Sequence, residues 1–250
     1  MILELEELAA NAWPGLSLVL VDGWISRFAA GHTRRANSVL PLHAGTGPLD
    51  TRIARCEALA RDQGLEPTFK ITGASLPAGL EGELERRGYV RLGESTVRVL
   101  DRMDAPPPAL PDGLRVRVTE QLDDSWFAFH IALGGRNAEQ APVARAILEH
   151  IVPARRFLLL EGTDGPVACA LVVLEAGWAG IFDLAVRADL RGRGLGRLAM
   201  VAAAAQAARA GARRAYLQVV RGNEPAERLY QSLGYTVAYP YWYRVRPGGV

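Results

Sequence analysis

The chain has one lysine, Lys70, among its 29 basic residues. A Schiff-base or phosphate-loop lysine would have to be this one. The stretch PTFKIT around it is strand-like and lacks the glycines of a phosphate loop. Cysteine is nearly absent as well. Cys56 and Cys169 lie far apart in apolar surroundings, which suits two reduced, buried thiols in a cytoplasmic protein rather than a disulfide framework. The four histidines show no His-x-His or His-Glu-x-x-His spacing, and there is no Cys-x-x-Cys, so no metal is expected. No apolar run reaches the roughly 18 residues needed to cross a bilayer. The N-terminal MILELEELAANAWPG is acidic and amphipathic and has no basic n-region of a signal peptide. A net charge of +2 gives no general case for a nucleic acid or an anionic membrane as partner.

What is present is an ordinary globular composition, 49% hydrophobic and 22% charged, over 250 residues. That length holds one large domain or two small ones. DAPPPALPDG, residues 104–113, marks the clearest break, because consecutive prolines continue neither a helix nor a central strand. The expected organisation is therefore a first domain over 1–105, a linker over 106–113 and a second domain over 114–250.

In the first half LSLVLVDGWISRFA and TRRANSVLPL read as strands, followed by a helix in DTRIARCEALARDQG with Ile53, Cys56 and Leu59/Ala60 as its apolar stripe and Gly64 as its stop. Strand TFKIT, a helix from Ser75 to Arg87 closed by Gly88, and two short strands from Tyr89 onward complete it. In the second half LRVRVTE alternates with period two. Helices around DDSWFAFHIAL and PVARAILEHI follow, then strands RRFLLLE, PVACALVVLEA and AGIFDLAVRA. A helix running to Ala210 before Gly211, strand RAYLQVV, a helix from Glu224 to Leu233 before Gly234, and strands YTVAYP and YWYRVRP close the chain. This order predicts a mixed α/β (α+β) sheet flanked by helices. LERRGYVRL in the first half answers LYQSLGYTVA in the second, which predicts a duplication.

The most informative stretch is RADLRGRGLGRLAM, residues 187–200. Gly192, Gly194 and Gly196 alternate with Arg191, Arg193, Leu195 and Arg197 between a strand and a helix. Glycine lets another group approach the backbone, and a helix N-terminus presents free amides and about half a positive charge. Arginines add permanent charge and forked donors. This is a phosphate cradle by composition, and two readings of it compete. Gly194, Gly196 and Ala199 satisfy G-x-G-x-x-A, a dinucleotide fingerprint, yet no carboxylate stands at the end of the next strand, where Arg221 would instead favour a 2′-phosphate and an NADP-type oxidoreductase.

The second reading covers more residues. Arg191, Gly194 and Gly196 fit R/Q-x-x-G-x-G/A, and Asn223, Ala226, Leu229, Tyr230, Gly234 and Tyr235 follow in NEPAERLYQSLGY. Together they resemble the GCN5-related N-acetyltransferase (GNAT) family, over roughly residues 112–246. The first half resembles a degenerate copy, as in tandem members. The resemblance implies a GNAT-like, mostly antiparallel sheet and acetyl-CoA as co-substrate. It places the backbone of Leu184, Ala185 and Val186 on the pantetheine arm, residues Arg191 to Arg197 on the pyrophosphate, Asn223 beside the pantetheine and Tyr230 at the sulfur. An amine, small-molecule or peptide, would be the acceptor. A CoA-binding regulatory module without turnover stays as a further alternative.

Residues Ala226, Leu229, Tyr230 and Leu233 fall at i, i+3, i+4 and i+7, so Tyr230 faces inward on its helix. A phenol suits protonation of a leaving thiolate. Asp183, alternating with Leu184 along its strand, is the first candidate for the general base, ahead of Glu175 and Glu120. The acceptor site is expected to involve the segment from Gly134 to Ala141. Tyr239, Tyr241, Trp242 and Tyr243 read either as an amine pocket or as a half-buried strand face.

Overall fold

A computed structural model describes residues 1–103, 106–134 and 138–248. Its elements are α1 (Ile2–Ala12), β1 (Ser17–Val21), β2 (Trp24–Phe28), β3 (Val39–Leu40), α2 (Leu49–Asp62), β4 (Thr68–Ile71), α3 (Leu80–Arg86), β5 (Val90–Leu100), β6 (Arg115–Thr119), α4 (Asp124–Leu133), α5 (Ala141–Glu149), β7 (Ala154–Gly162), β8 (Gly165–Glu175), β9 (Trp178–Val186), α6 (Leu195–Arg209), β10 (Arg214–Val220), α7 (Glu224–Ser232) and β11 (Thr236–Val245).

Contacts group the chain into two compact units. The first comprises Met1–Val97, Val219–Gly222 and Val237–Val250, and the second Arg98–Gln218 and Asn223–Thr236. This division does not follow the proline stretch at 106–113, nor does it leave residues 114–250 together. The closing strand β11 pairs antiparallel with β4, from Trp242↔Ile71 to Val245↔Thr68, and so counts with the first unit.

Each unit is a mostly antiparallel sheet with one parallel step. In the first unit the strands run β1-β2-β3-β4-β11, and only β3 and β4 are parallel. In the second they run β10-β9-β8-β7-β6, and only β10 and β9 are parallel. In both, the parallel pair is joined through a helix, α2 in one and α6 in the other.

Local chemistry sets these elements. Asp22–Gly23 joins β1 to β2 with φ of +43° and +86°, the left-handed pair a two-residue hairpin turn requires. Asp123 caps α4 by accepting from the Trp126 amide at 2.8 Å. Helices α2, α3, α6 and α7 all end alike. The amide two residues past the last turn donates back to a carbonyl of the final turn: Leu65 to Ala60, Tyr89 to Leu84, Ala212 to Ala207 and Tyr235 to Tyr230, each at 2.9–3.0 Å. The expected stops at Gly64, Gly88, Gly211 and Gly234 are where these turns occur.

The first core gathers Trp24, Ile53, Phe69, Leu84 and Tyr89, with Trp24–Phe69 and Phe69–Tyr89 ring pairs edge-on at 5.7 Å. The lone lysine belongs to this unit's interior. Lys70 Nζ lies 2.6 Å from Glu6 Oε2 and 4.1 Å from the centre of the Tyr241 ring, and the Tyr239 hydroxyl donates to Glu6 Oε1 at 2.9 Å. The aromatic run of the closing strand is therefore a buried face: Tyr239, Tyr241 and Tyr243 are all under 6% exposed, and Trp242 Nε1 donates to Glu81 at 2.8 Å. In the second unit the middle strand β8 is buried from Val167 to Val173, and the alanine-rich α6 packs on it and on β9.

Four expectations change. Of TRRANSVLPL only Val39–Leu40 is strand, because the Asn37 side chain ties 29–33 into a loop, accepting from Ala29 N and Gly31 N and donating to Thr33 O. The helix expected from Ser75 begins at Leu80, since the Ser75 hydroxyl is held in a local turn by the Thr72 amide. The two strands expected after Tyr89 are one strand, Val90–Leu100, and the two closing strands are likewise one, Thr236–Val245.

Candidate active site

The site grows from an irregularity in β9. Its antiparallel register with β8 shifts between Cys169↔Ala185 and Leu171↔Phe182, so Asp183 and Leu184 face a single residue of β8. Asp183 takes φ of +49° there, an uncommon conformation for a residue with a side chain. The parallel register with β10 runs from Arg214↔Trp178 to Leu217↔Ile181 and stops. Among the described residues, β9 from Leu184 to Val186 is thus laddered to β8 alone. Its other edge is available to an extended chain of another molecule.

The glycine loop follows. Arg187 pairs with Asp189 at 2.9 Å, and Arg191 Nε donates to the Val186 carbonyl at 3.3 Å. Gly194 is the N-cap of α6 with φ of +80°, a conformation costly for other residues. The first helical bond is Leu198 N to Gly194 O, at 3.1 Å, and no side chain caps the helix. Among the described residues the amides of Leu195, Gly196 and Arg197 meet no acceptor, which leaves them for an external one. A Cβ placed on Gly192 or Gly194 would meet nothing within 4 Å, so the space in front of these amides is open.

Gly196 joins three elements. A Cβ there would lie 3.6 Å from Val186 Cγ2 and 3.5 Å from Leu229 Cδ2, so the end of β9, the start of α6 and α7 meet at this point. Arg197 Nη1 adds a bond to the Ser232 hydroxyl at 2.9 Å. Asn223 caps α7, its side-chain oxygen accepting from Ala226 N at 3.4 Å. Tyr230 is the buried residue of α7. Burial raises its pKa, opposed by the positive charge of Arg98, so the phenol is protonated at neutral pH. Beside it, at 6.1 Å between ring centres, stands Tyr235, whose buried hydroxyl has no hydrogen-bond partner among the described residues.

Among the base candidates the structure separates three places. Glu120 is an exposed partner of Arg156 at 3.0 Å. Glu175 lies at the β8–β9 hairpin, opposite Trp178. Asp183 is at the bulge, its side chain 6% exposed, with the Cys169 thiol 3.6 Å from its carbonyl. His130, which carried no signal in the sequence, is 3.8 Å from the Asp183 carboxylate. The segment expected to shape the acceptor site, Gly134 to Ala141, lies partly outside the described residues. Burial pushes both cysteine thiols up to about 12, so neither is a nucleophile at neutral pH. Among the described residues no group of His, Cys, Asp or Glu is placed to hold a metal ion, and no helix is long and apolar enough to cross a membrane.

An antiparallel β8–β9 pair before a glycine loop departs from the doubly wound parallel sheet of dinucleotide enzymes. The Arg221 expected to favour a 2′-phosphate pairs with Glu94 at 2.7 Å. The arrangement is instead that of a GCN5-related N-acetyltransferase. One such protein from Kribbella flavida superposes over 97% of this chain and 95% of its own with a TM-score of 0.71 at 18% identity. A tandem GNAT protein from the clavulanic acid biosynthesis pathway covers 79% of this chain and 69% of its own with a TM-score of 0.63 at 17% identity. In sequence, the uncharacterized N-acetyltransferase YobR of Bacillus subtilis is 26% identical over 246 residues, 98% of each chain. Residues 1–244 match the family described as probable histone acetyltransferase Rv0428c C-terminal, and the chain belongs to it.

Proposed function

We propose that the protein moves an acetyl group from acetyl-CoA to a primary amine by direct attack of the amine on the thioester. The observation that carries this reading is the set of three uncommitted amides at Leu195, Gly196 and Arg197, facing open space among arginines and joined through Gly196 to the end of β9 and to α7. The pyrophosphate accepts from those amides, with Arg191 and Arg193 beside them. Leu184, Ala185 and Val186 take the pantetheine arm as an added strand, and Asn223 flanks it. This lays the thioester toward α7.

The acceptor ammonium first gives a proton to Asp183, directly or through water. The neutral nitrogen attacks the carbonyl carbon, the carbon–sulfur bond breaks, and Tyr230 protonates the departing sulfur. Burial makes the Tyr230 phenol a weaker acid than a thiol, and its transfer of a proton to the thiolate is completed because the phenolate recovers the proton that the amide nitrogen sheds. The second unit does this work, and the first is a structural copy. The buried thiols fit a reducing, cytoplasmic setting. The acceptor is a small-molecule or peptide amine, and neither nucleic acid nor a membrane is a partner.

Titration calorimetry with CoA, followed by thiol release from acetyl-CoA across a panel of amines, tests the proposal. Binding with amine-dependent release supports it. Binding without release by any amine identifies a CoA-binding module, and NADPH binding in place of CoA overturns the cradle reading.

A further inference from the structure

His130 belongs to no part of the glycine loop or of α7, yet the fold holds it at the bulge with care. The start of α4 is fixed by Asp123, which accepts from the Trp126 amide at 2.8 Å and from Arg117 Nη1 at 2.8 Å. One turn later Trp126 is fully buried and donates through Nε1 to the Leu158 carbonyl at 3.0 Å. Its indole stacks on the His130 ring, with centres 4.9 Å apart and planes 18° from parallel, and meets Phe157 edge-on at 5.0 Å. The imidazole therefore cannot swing freely. Its Nε2 lies 3.8 Å from Asp183 Oδ2, with both side chains under 7% exposed. That distance is ion-pair range and outside hydrogen-bond range, as catalytic contacts often are before substrate binds.

The Asp183 end is equally specified. Asp183 is one of the few residues with a side chain at positive φ, and it stands at the register shift immediately before Leu184. Strain of this kind persists where the surroundings impose it, and it clusters at functional positions. A bulge turns a strand side chain to a new direction, and here the direction is toward His130.

We infer that His130 is a positioning residue for Asp183: the imidazole fixes where the carboxylate points so that it meets the acceptor ammonium. This rests on the acetyl-transfer reading above. In that reaction the ammonium loses one proton to Asp183, the nitrogen bonds to the carbonyl carbon, and the carbon–sulfur electron pair leaves on sulfur. Tyr230 protonates the sulfur, and the second N–H proton returns to the phenolate. His130 gives up no atom and takes no net proton; its work is geometric.

The competing account makes His130 a packing residue whose ring merely covers Trp126. His130→Phe separates the two, since it keeps a ring on the indole and removes both nitrogens. Spermidine and a lysine-containing peptide serve as acceptor probes, with thiol release as the rate assay and calorimetry for CoA. The expected result is a kcat lowered about 10- to 100-fold, with the CoA dissociation constant and melting temperature unchanged. On an Asp183→Asn background His130→Phe should cost nothing further. A full kcat in His130→Phe, or a loss that adds to that of Asp183→Asn, overturns the inference while CoA binding by the parent leaves the cradle reading standing. A parent that binds no CoA overturns the cradle reading instead. If neither probe turns over, the ring-nitrogen NMR signals of His130 decide: a change of tautomer or charge on Asp183→Asn supports the coupling, and an unchanged pattern overturns it.

Discussion

Between β3 and α2, the amides of Thr46 and Gly47 donate to the carboxylate of Asp22 at 2.9 Å; between β9 and α6, the amides of Leu195, Gly196 and Arg197 have no acceptor among the described residues. The two loops hold the same place in their units, each after a strand and before the helix that leads to its parallel neighbour. Both present backbone amides of a glycine-containing loop just before or at the start of a helix. In the first unit the chain supplies its own anion. The Thr46 hydroxyl adds a third bond to Asp22, and Arg52, its guanidinium 3.9 Å above the Trp24 ring, brings Nε to 3.5 Å from the carboxylate. A Cβ on Gly45 would fall 2.3 Å from Asp22 Oδ2, so the loop is packed shut.

The contrast extends to the next helix. Tyr89 N donates to Leu84 O and Tyr235 N donates to Tyr230 O, both at 3.0 Å, which puts Leu84 and Tyr230 at matching positions before matching turns. Leu84 is fully buried in the first core, and Tyr230 carries a hydroxyl. At these two places the first unit thus has a filled loop and an apolar side chain where the second has an open loop and a phenol. What the difference teaches is that the same packing accommodates either a closed or an open loop at this place, and either a leucine or a tyrosine before the turn.

The largest expected effect tests the second of these differences. Tyr230→Phe makes the second unit resemble the first at that position without disturbing the ring. It should lower kcat by about 10² to 10⁴ while CoA affinity in calorimetry stays within about twofold. An undiminished kcat at saturating substrate would make Tyr230 a packing residue like Leu84.

The next test copies Asp22 into the open loop. Gly194→Asp places a carboxylate at the N-terminus of α6, and Gly194→Asn controls for the φ of +80°, which Asn and Asp both tolerate better than other residues. CoA affinity should fall about 100-fold for Asp, corresponding to a lost charge-assisted contact of roughly 1.5–3 kcal/mol, and less for Asn. Equal losses would show that backbone shape, and not charge, closes a cradle of this kind. The same calorimetry counts sites: one CoA per chain is expected, and two equivalent sites would erase the contrast.

Much of the open loop was legible in the sequence, because its features are local. Gly192 and Gly194 lie just before α6 and Gly196 in its first turn, and the inward face of Tyr230 follows from helical spacing alone. The four helix stops were legible for the same reason. Asp22 was not. Its partners Thr46 and Gly47 are 24 and 25 residues away, and the Asp-Gly pair announces only a hairpin turn. Pro48 and Asp50, which follow that loop in the chain, play other parts: Pro48 precedes α2 as its cap, and Asp50 pairs with Arg87 at 2.6 Å. His130 was hidden likewise, since its contact with Asp183 joins α4 to a bulge in β9, and a bulge leaves no mark in a hydrophobic pattern. The pairing of β11 with β4 joins the two ends of the chain, a distance over which periodicity says nothing.

The smallest effect concerns how Asp22 holds its loop. The amides of Gly47 and then Thr46 stabilise the ionised carboxylate, burial opposes them, and the Thr46 hydroxyl and Arg52 add to the lowering, so its pKa lies below the ordinary value of about 3.9. The sign follows from linkage. A carboxyl whose pKa is depressed on folding contributes stability above the unfolded value, and that contribution is lost as the pH falls through the folded value. Asp22→Asn keeps the hairpin turn, for which Asn is also suited, and can still accept one amide bond. Other carboxylates titrate in the same range, Asp123 among them, whose pKa is about 2. The difference between parent and variant isolates Asp22 from these. The parent should melt at a higher temperature than the variant at pH 6, and the gap should narrow below about pH 4 as the carboxylate takes up its proton. A gap that stays constant down to pH 2 would show that the loop is held by shape alone, and that the charge of Asp22 does not close the first unit's cradle.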